Sequence, residues 1–263
     1  MTRRASPWAW LWLLIGALYF FVPLFATAQF SLKAKKDVLS FAAYQNVLGS
    51  PAFFQSFVFS FRTALLTIVI SALLIVPTAY WVNLRLPRLR PVIEFLTLLP
   101  IVVPAVVLVF ALIRTYNRTP LTDSRAGTYI LLTGAYVMLS FPYMYRAIDT
   151  GLRSINARTL TEAAQSLGAG WGTVLFRVIF PNIYISLLSG AFITFAIVMG
   201  EFTIASLLSQ PAFGPYMNLL SSSKVYEPSA LAILSFGLTW LAIGLLQVFS
   251  RRLPGRAQIV GAK

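Results

Sequence analysis

The stretch that decides the reading is Thr161–Asn182, "TEAAQSLGAGWGTVLFRVIFPN". Small and polar residues, three glycines and a closing proline interrupt a chain that is strongly apolar on both sides. Just upstream, Asn156 is a residue type that caps helix starts, because its side chain accepts a bond from an otherwise orphaned backbone N–H. Leu160, Ala163, Ala164 and Leu167 then fall at i, i+3, i+4 and i+7, which predicts one narrow helical face built largely of small residues. Gly168 suits the left-handed position that ends a helix. Gly168-Ala169-Gly170 makes a turn, "WGTVLFRVIF" begins a second helix, and Pro181 is acceptable in the first turn of the apolar segment that follows. The predicted product is a helix–turn–helix elbow rigidly continuous with a long apolar helix, so that a push on the first helix moves the second.

The surroundings say what solvent that long helix meets. The 263 residues are 58% hydrophobic and 11% charged, against about 25% charged in soluble domains. Such a chain cannot clothe a water-facing surface, and most of it must face lipid. A spanning helix needs about 20 predominantly apolar residues. Six runs qualify: Trp8–Ala28, Phe57–Val82, Val92–Ile113, Thr128–Ile148, Ile179–Leu208 and Ser229–Phe249. The first run, with Arg3 and Arg4 before it and "ATA" at its end, also resembles a cleaved signal peptide. Its apolar stretch exceeds the roughly 7–15 residues of a signal core, and Trp8, Trp10 and Trp12 suit an interfacial anchor, so an uncleaved span is the better reading.

The net charge of +14 comes from 21 Lys and Arg against 7 Asp and Glu. The basic residues sit mainly in short gaps between apolar runs, which orients spans in a membrane and does not form the basic face that binds nucleic acid. With the N-terminus inside, 13 of the 21 fall in inner gaps and 8 in outer ones. The fold class expected is therefore an all-α membrane protein, one domain over residues 1–263, with six transmembrane helices and both termini cytoplasmic. The elbow, within residues 149–181, then lies between spans four and five on the cytoplasmic side. "FAAYQNVLGSPAFFQSF" reads as holding a short outer helix, and "AFGPYMNLL" as a plain outer loop.

The membrane-embedded polar residues are the candidate pathway. Charges inside spans are costly and usually functional. Glu201 sits deep in the fifth run beside Gly200, which permits a bend or a close backbone approach; it reads either as facing a cavity or as a structural carboxylate bonded to a neighbouring helix. Pro100 and Pro104 in the third run, and Pro77 in the second, free carbonyls that a neighbour or water must satisfy. Glu94, near Arg85, Arg88 and Arg90, reads as one half of an interfacial ion pair, and Arg62 as a snorkelling residue. With neither His nor Cys, thiolate chemistry and the commonest zinc ligands are absent, and the scattered acids form no metal cluster. No cofactor is expected. The lysines follow Leu, Ala, Lys, Ser and Ala, so there is no glycine–lysine pair of a phosphate-cradling loop.

The spacing Glu162-Ala163-Ala164, three residues, Gly168, nine residues, Val178-Ile179-Phe180-Pro181 resembles the "EAA" loop of inner-membrane permease subunits of binding-protein-dependent ABC importers. That pattern is E-A-A, three residues, G, nine residues, I-x-L-P; Val178 and Phe180 depart from it conservatively. The resemblance implies that Glu162, Ala163, Ala164, Gly168, Gly170 and Pro181 belong to a loop that docks on a cytoplasmic ABC ATPase dimer, which hydrolyses the ATP. It also implies a second permease subunit, identical or homologous, an extracytoplasmic solute-binding protein, and residence in a bacterial inner membrane as a multi-pass protein. The "GEF" triplet at Gly200–Phe202 resembles one in permeases for polyamines, oxyanions and iron. A carboxylate in the cavity suits a cation, so a spermidine- or putrescine-type solute is the expectation, with an oxyanion, phosphonate or ferric ion as the alternative. A self-sufficient secondary carrier is a different class that the chain's lack of a visible internal repeat disfavours. An intramembrane hydrolase lacks its nucleophile and base.

Overall fold

A computed structural model describes residues 7–34 and 38–252. Arg3, Arg4, Lys35, Lys36, Arg256 and Lys263, which entered the charge count, lie outside the described residues. The described chain is almost wholly helical, with isolated bridge residues such as the pair Lys33 and Ser40. The described residues up to 54 with 216–246 form one compact unit, and residues 55–215 with 247–252 form another.

In the first unit, α1 (Pro7–Ser31) is apolar all round. Most of its apolar side chains, Trp10, Leu13, Tyr19 and Phe25 among them, are exposed, which suits a lipid surrounding. The short helix α2 (Ala42–Leu48) falls where the sequence places one. A bond between the Ser31 and Tyr44 hydroxyls (2.7 Å) holds it to α1. The Asn46 amide donates to Glu227 Oε1 at 3.0 Å, at the start of α13 (Glu227–Arg252).

The second unit contains most of α3 (Pro51–Arg85), then α4 (Arg90–Val102), α5 (Ala105–Thr115), the single turn α6 (Pro120–Asp123) and α7 (Arg125–Ser154). The elbow follows as α8 (Ala157–Ser166) and the three-residue α9 (Trp171–Thr173). A π-helical turn over Val174–Ile179 runs without a break into α10 (Phe180–Gly200), and α11 (Thr203–Leu207) ends the series. The helix α12 (Phe213–Ser223) forms where a plain loop is expected; the Phe213 N–H donates to the Ser60 hydroxyl at 2.8 Å, which ties its start to α3.

The helix α7 is the spine of this unit. At one end Leu131, Leu132, Ala135 and Tyr136 pack with Ala64 of α3, Val109 of α5, Val198 of α10 and Ile204 of α11. At the other end Met144, Tyr145, Ile148 and Leu152 pack with Ile75, Ala79 and Tyr80 of α3, Ala157 and Ala164 of α8 and Ile183 of α10. Being enclosed, α7 tolerates Ser140 and Asp149 on buried faces. That is why it is less apolar than a lipid-facing helix.

Among the described residues three helices are long and apolar enough to cross a membrane: Trp10–Ser31, Pro51–Arg85 and Trp171–Gly200. A fourth is reached if α4 and α5 count as one span. Two of the expected runs are not straight. The third bends by 93° between α4 and α5, where Val103 is extended (ψ 119°) and Pro104 cannot donate into the turn before it. The fifth stops at Gly200 and resumes at Thr203. Pro77, by contrast, stays inside an unbroken α3.

Close approach of α7 and α10 depends on small residues, as is general where helices pack in lipid. A Cβ placed on Gly190 would lie 3.0 Å from Met144 Sδ and 3.2 Å from its Cα; Gly134, on the same spine, has nothing within 4 Å. Gly190→Leu is expected to cost about 1–3 kcal/mol by overpacking and to lower the thermal midpoint of the purified protein. Gly134→Ala should leave it unchanged or slightly raised.

Candidate functional site

The elbow is seated on the bundle by one face and open on the other. Ala157, Thr161 and Ala164 are buried. Thr161 donates to the Ala157 carbonyl (2.7 Å), leaving its oxygen to accept from the Tyr80 hydroxyl of α3 at 2.9 Å. Glu162, Ala163 and Leu167 are exposed, Leu167 at 88%. The face expected from Leu160, Ala163, Ala164 and Leu167 is therefore split: Leu160 and Ala164 turn toward the bundle, Ala163 and Leu167 away from it. The seat selects Thr161 because its hydroxyl can be satisfied twice, which a pattern of apolar residues alone does not register. Nor does Asn156 cap α8. It adopts the left-handed conformation (φ 50°, ψ 59°) with no side-chain cap bond, and forms the corner between α7 and α8; Asn tolerates that conformation better than most residues.

The far end of α8 closes as the glycine suggests. Gly168 has φ +83°. Its N–H bonds the Gln165 carbonyl (2.9 Å) and the Ala169 N–H bonds the Ala164 carbonyl (3.0 Å), the paired bonds of a Schellman closure. Gly170 is extended (φ −71°, ψ 163°) and open to any residue, so only Gly168 is demanded by the backbone. Trp171 then packs against Trp81 (centroids 5.9 Å apart) beneath the Arg85 guanidinium, 5.7 Å from its ring. Pro181 lacks the N–H that an α-helical turn would aim at residue 177, and the wider π-helical turn lies directly before it. The Asn182 side chain donates to the Val178 carbonyl at 2.7 Å and supplies one extra bond at this irregularity.

Beside the elbow, Arg90 at the start of α4 bonds Asp149 of α7 at 2.7 Å, and Asn83 of α3 donates to the same carboxylate at 3.2 Å. Asp149 is buried and Arg90 half-buried. Glu94, expected to pair with Arg85, Arg88 or Arg90, is exposed and in no ion pair among the described residues, because the buried Asp149 takes Arg90.

At the break in the fifth run, Glu201 Oε1 accepts from the Ile204 N–H (2.7 Å). Its Oε2 accepts from the Ala205 N–H (3.1 Å) and from the Tyr136 hydroxyl (2.9 Å). The carboxylate thus closes the open N-terminus of α11 and ties it to α7, a favourable place for negative charge. A side chain on Gly214 would overlap the Glu201 and Phe202 backbone. Beyond the two breaks, α11 packs on α5. Pro104 starts α5 while Pro100 is buried within α4, so the candidate pathway residues mark two discontinuous helices whose far segments touch.

These features coincide with a known pattern. The family described as "Binding-protein-dependent transport system inner membrane component" matches residues 75–254, which take in the elbow, the Asp149 cluster and both breaks. The chain belongs to that family. It is a multi-pass inner-membrane permease subunit of a binding-protein-dependent ABC importer, a class in which a partner subunit hydrolyses the ATP. Its sequence is 29% identical over 258 residues to the molybdenum transport system permease protein ModB of Mycobacterium tuberculosis, covering 94% of each chain. It is 26% identical over 266 residues to the putrescine transport system permease protein PotI of Escherichia coli, covering 96% of this chain and 92% of that one. Its fold is similar to a chain of a bacterial ABC transporter that imports the acidic polysaccharide alginate (TM-score 0.64, 18% identity, 94% and 99% covered). It is also similar to a chain of an amino acid ABC transporter (TM-score 0.56, 20% identity, 80% and 98% covered).

In this permease the structure gathers the elbow residues Glu162, Ala163, Ala164 and Gly168 on one short helix and its closure, and joins Glu201 to Tyr136. Sequence reasoning missed Tyr80, Asn83, Asp149 and Thr161. The available signal was an acid at the end of the fourth apolar run and arginines in the gap between the second and third, two ends expected on the same side of the membrane. Removing Arg90 alone leaves a buried carboxylate unpaired, a loss of about 3–5 kcal/mol in comparable cases. Arg90→Met should therefore reduce the folded yield more than the double variant Arg90→Met/Asp149→Asn, as measured by size-exclusion recovery after membrane extraction.

Proposed function

We propose that the elbow is the ATPase-coupling element of this permease, with Glu162, Ala163, Ala164, Gly168, Gly170 and Pro181 as its working residues. The observation that carries this reading is the two-sided character of α8. One face is locked to α3 and α7 through Thr161, Tyr80 and Ala164, and the opposite face presents Glu162, Ala163 and Leu167 unpacked. An apolar residue as exposed as Leu167 on a rigid mount fits a partner's cleft. The helix behind it, running through the π-helical turn into α10, carries a displacement to the break at Glu201.

On this reading the six apolar runs are all spans, α7 and α13 being the fourth and sixth, the termini are cytoplasmic, and residues 1–263 act as one permease domain in a bacterial inner membrane. The partners are a cytoplasmic ABC ATPase dimer, a second permease subunit, identical or homologous, and an extracytoplasmic solute-binding protein. Gly200, Glu201, Pro100 and Pro104 border the pathway at the two breaks. For the solute, a polyamine was expected because Glu201 would face a cation. The bonds Glu201 makes to α11 and Tyr136 occupy both its oxygens, and that geometry favours the alternative, an oxyanion; a ModB permease is among the relatives.

Gly168→Pro and Glu162→Lys are expected to abolish ATP-driven uptake in vesicles carrying the whole transporter while membrane levels stay normal. Gly168→Ala should impair it less, since a left-handed alanine costs about 1–2 kcal/mol and no neighbour lies within 4 Å of its Cβ. Normal uptake by both of the first two variants would remove the elbow from its assigned role.

A further inference from the structure

The end of the second unit away from the elbow holds two adjoining cavities. One, of about 470 Å³, is bordered by Gln55, Phe59, Arg62 and Tyr129. The other, of about 400 Å³, is bordered by Phe59, Tyr129, Arg125, Ser209 and Gln210. They share Phe59 and Tyr129, whose rings meet edge to face with centroids 5.4 Å apart, so that Arg62 of α3 and Arg125 of α7 border one divided cleft. Its walls are fixed. Gln210 donates to the Thr128 hydroxyl at 2.7 Å, and the Tyr129 and Thr63 hydroxyls lie 3.3 Å apart.

The charges at this end do not balance. Arg62 and Arg125 form no ion pair among the described residues, and no acid borders either cavity. Arg114, in the last turn of α5, and Arg118, on the segment that joins α5 to α6, add to them, and Asp123 is the one acid between Arg114 and Arg125. The carboxylate of Glu201, at the end of α10, is bonded by Tyr136 of α7, two turns along from Tyr129, and its oxygens already accept from three donors. Tyr80, at the elbow, is 18 residues further along α3 than Arg62, which at 1.5 Å per residue is about 27 Å. The cleft and the coupling element therefore sit at opposite ends of the same helices.

We infer that this cleft is the outer-mouth site at which the permease receives a small tetrahedral oxyanion, drawn in by the guanidinium groups of Arg62 and Arg125 that border its two halves. The inference rests on the permease reading and names the solute class for it. A planar guanidinium offers paired N–H donors whose fork matches an oxyanion's oxygens. A cleft lined by one sign of charge concentrates the opposite ion at its mouth. Both cavities leave room for waters around such an anion, and both arginines are exposed. Capture there is weak, as a site that must hand its ion onward requires.

The test uses the whole transporter, with its ATPase, partner permease and binding protein, in vesicles of phosphatidylcholine alone. ATP-driven uptake of molybdate, sulfate and putrescine is measured for wild type, Arg62→Gln, Arg125→Gln, the double variant and Arg62→Lys. The expected result is uptake of at least one oxyanion and not of putrescine. Each single glutamine variant should lower that uptake roughly tenfold below saturation, equivalent to about 1.4 kcal/mol, the double variant should lower it further, and Arg62→Lys should recover part of it. Because both side chains are exposed, membrane levels of the variants are expected to match wild type and are checked by immunoblot. Oxyanion uptake by the double variant at the wild-type rate overturns the site. So does uptake of putrescine without either oxyanion, or a defect seen only when phosphatidylglycerol is added, which would assign the arginines to lipid headgroups. The permease reading is judged separately, by whether Gly168→Pro uncouples ATP hydrolysis stimulated by the binding protein.

Discussion

Hydrocarbon offers no hydrogen bonds, so a helix that stops inside it must find partners for its free N–H and C=O groups within the protein. Much of what is irregular in this permease answers that demand. The carboxylate of Glu201 closes the start of α11. The Asn182 amide reaches the Val178 carbonyl beside Pro181. At the elbow, outside the hydrocarbon on the reading above, the two bonds around Gly168 close the end of α8 in the same way. Each irregularity is therefore a fixed joint, and each can hold a defined angle between rigid pieces.

The helix α7 joins these joints. Its two ends lie in separate apolar clusters, one surrounding the break at Glu201 and the other surrounding the seat of α8. Between them the helix is uninterrupted, with Pro142 absorbed inside it. A load applied at the elbow reaches the break along two routes, α7 and the continuous run from the π-helical turn through α10. Buried small residues such as Gly190 keep those two helices in direct contact, so the routes cannot move independently.

Much of this was legible in the sequence, for identifiable reasons. Apolar run length located α1, α3 and the Trp171–Gly200 helix, because lipid imposes a length on helices that cross it. The elbow was legible because Gly168 and the Pro181 turn are backbone requirements that few residues meet. What escaped was decided by neighbours. The register of α8 follows from Tyr80, some eighty positions away, which a local pattern cannot contain. Glu201 could be read as facing a cavity or as a carboxylate bonded to a neighbouring helix, and only the positions of Tyr136 and α11 name its partners and reveal it as a cap. The 93° bend at Pro104 shows the same limit: proline marks where a helix is weak, and the packing of α5 on α11 decides whether it turns.

The π-helical turn over Val174–Ile179 has a consequence for how this chain tolerates change. A π-helical turn holds an additional residue within one revolution. It therefore sets the phase between Trp171, stacked on Trp81, and Ile183, buried against α7. Loss of one residue from this segment would regularise the backbone and leave its two sides in nearly the same phase, whereas straightening it with every residue kept would rotate one side by about 100° relative to the other. The irregularity works as a phase shifter: the helix is spoiled for less than two turns so that both of its ends can face their proper neighbours.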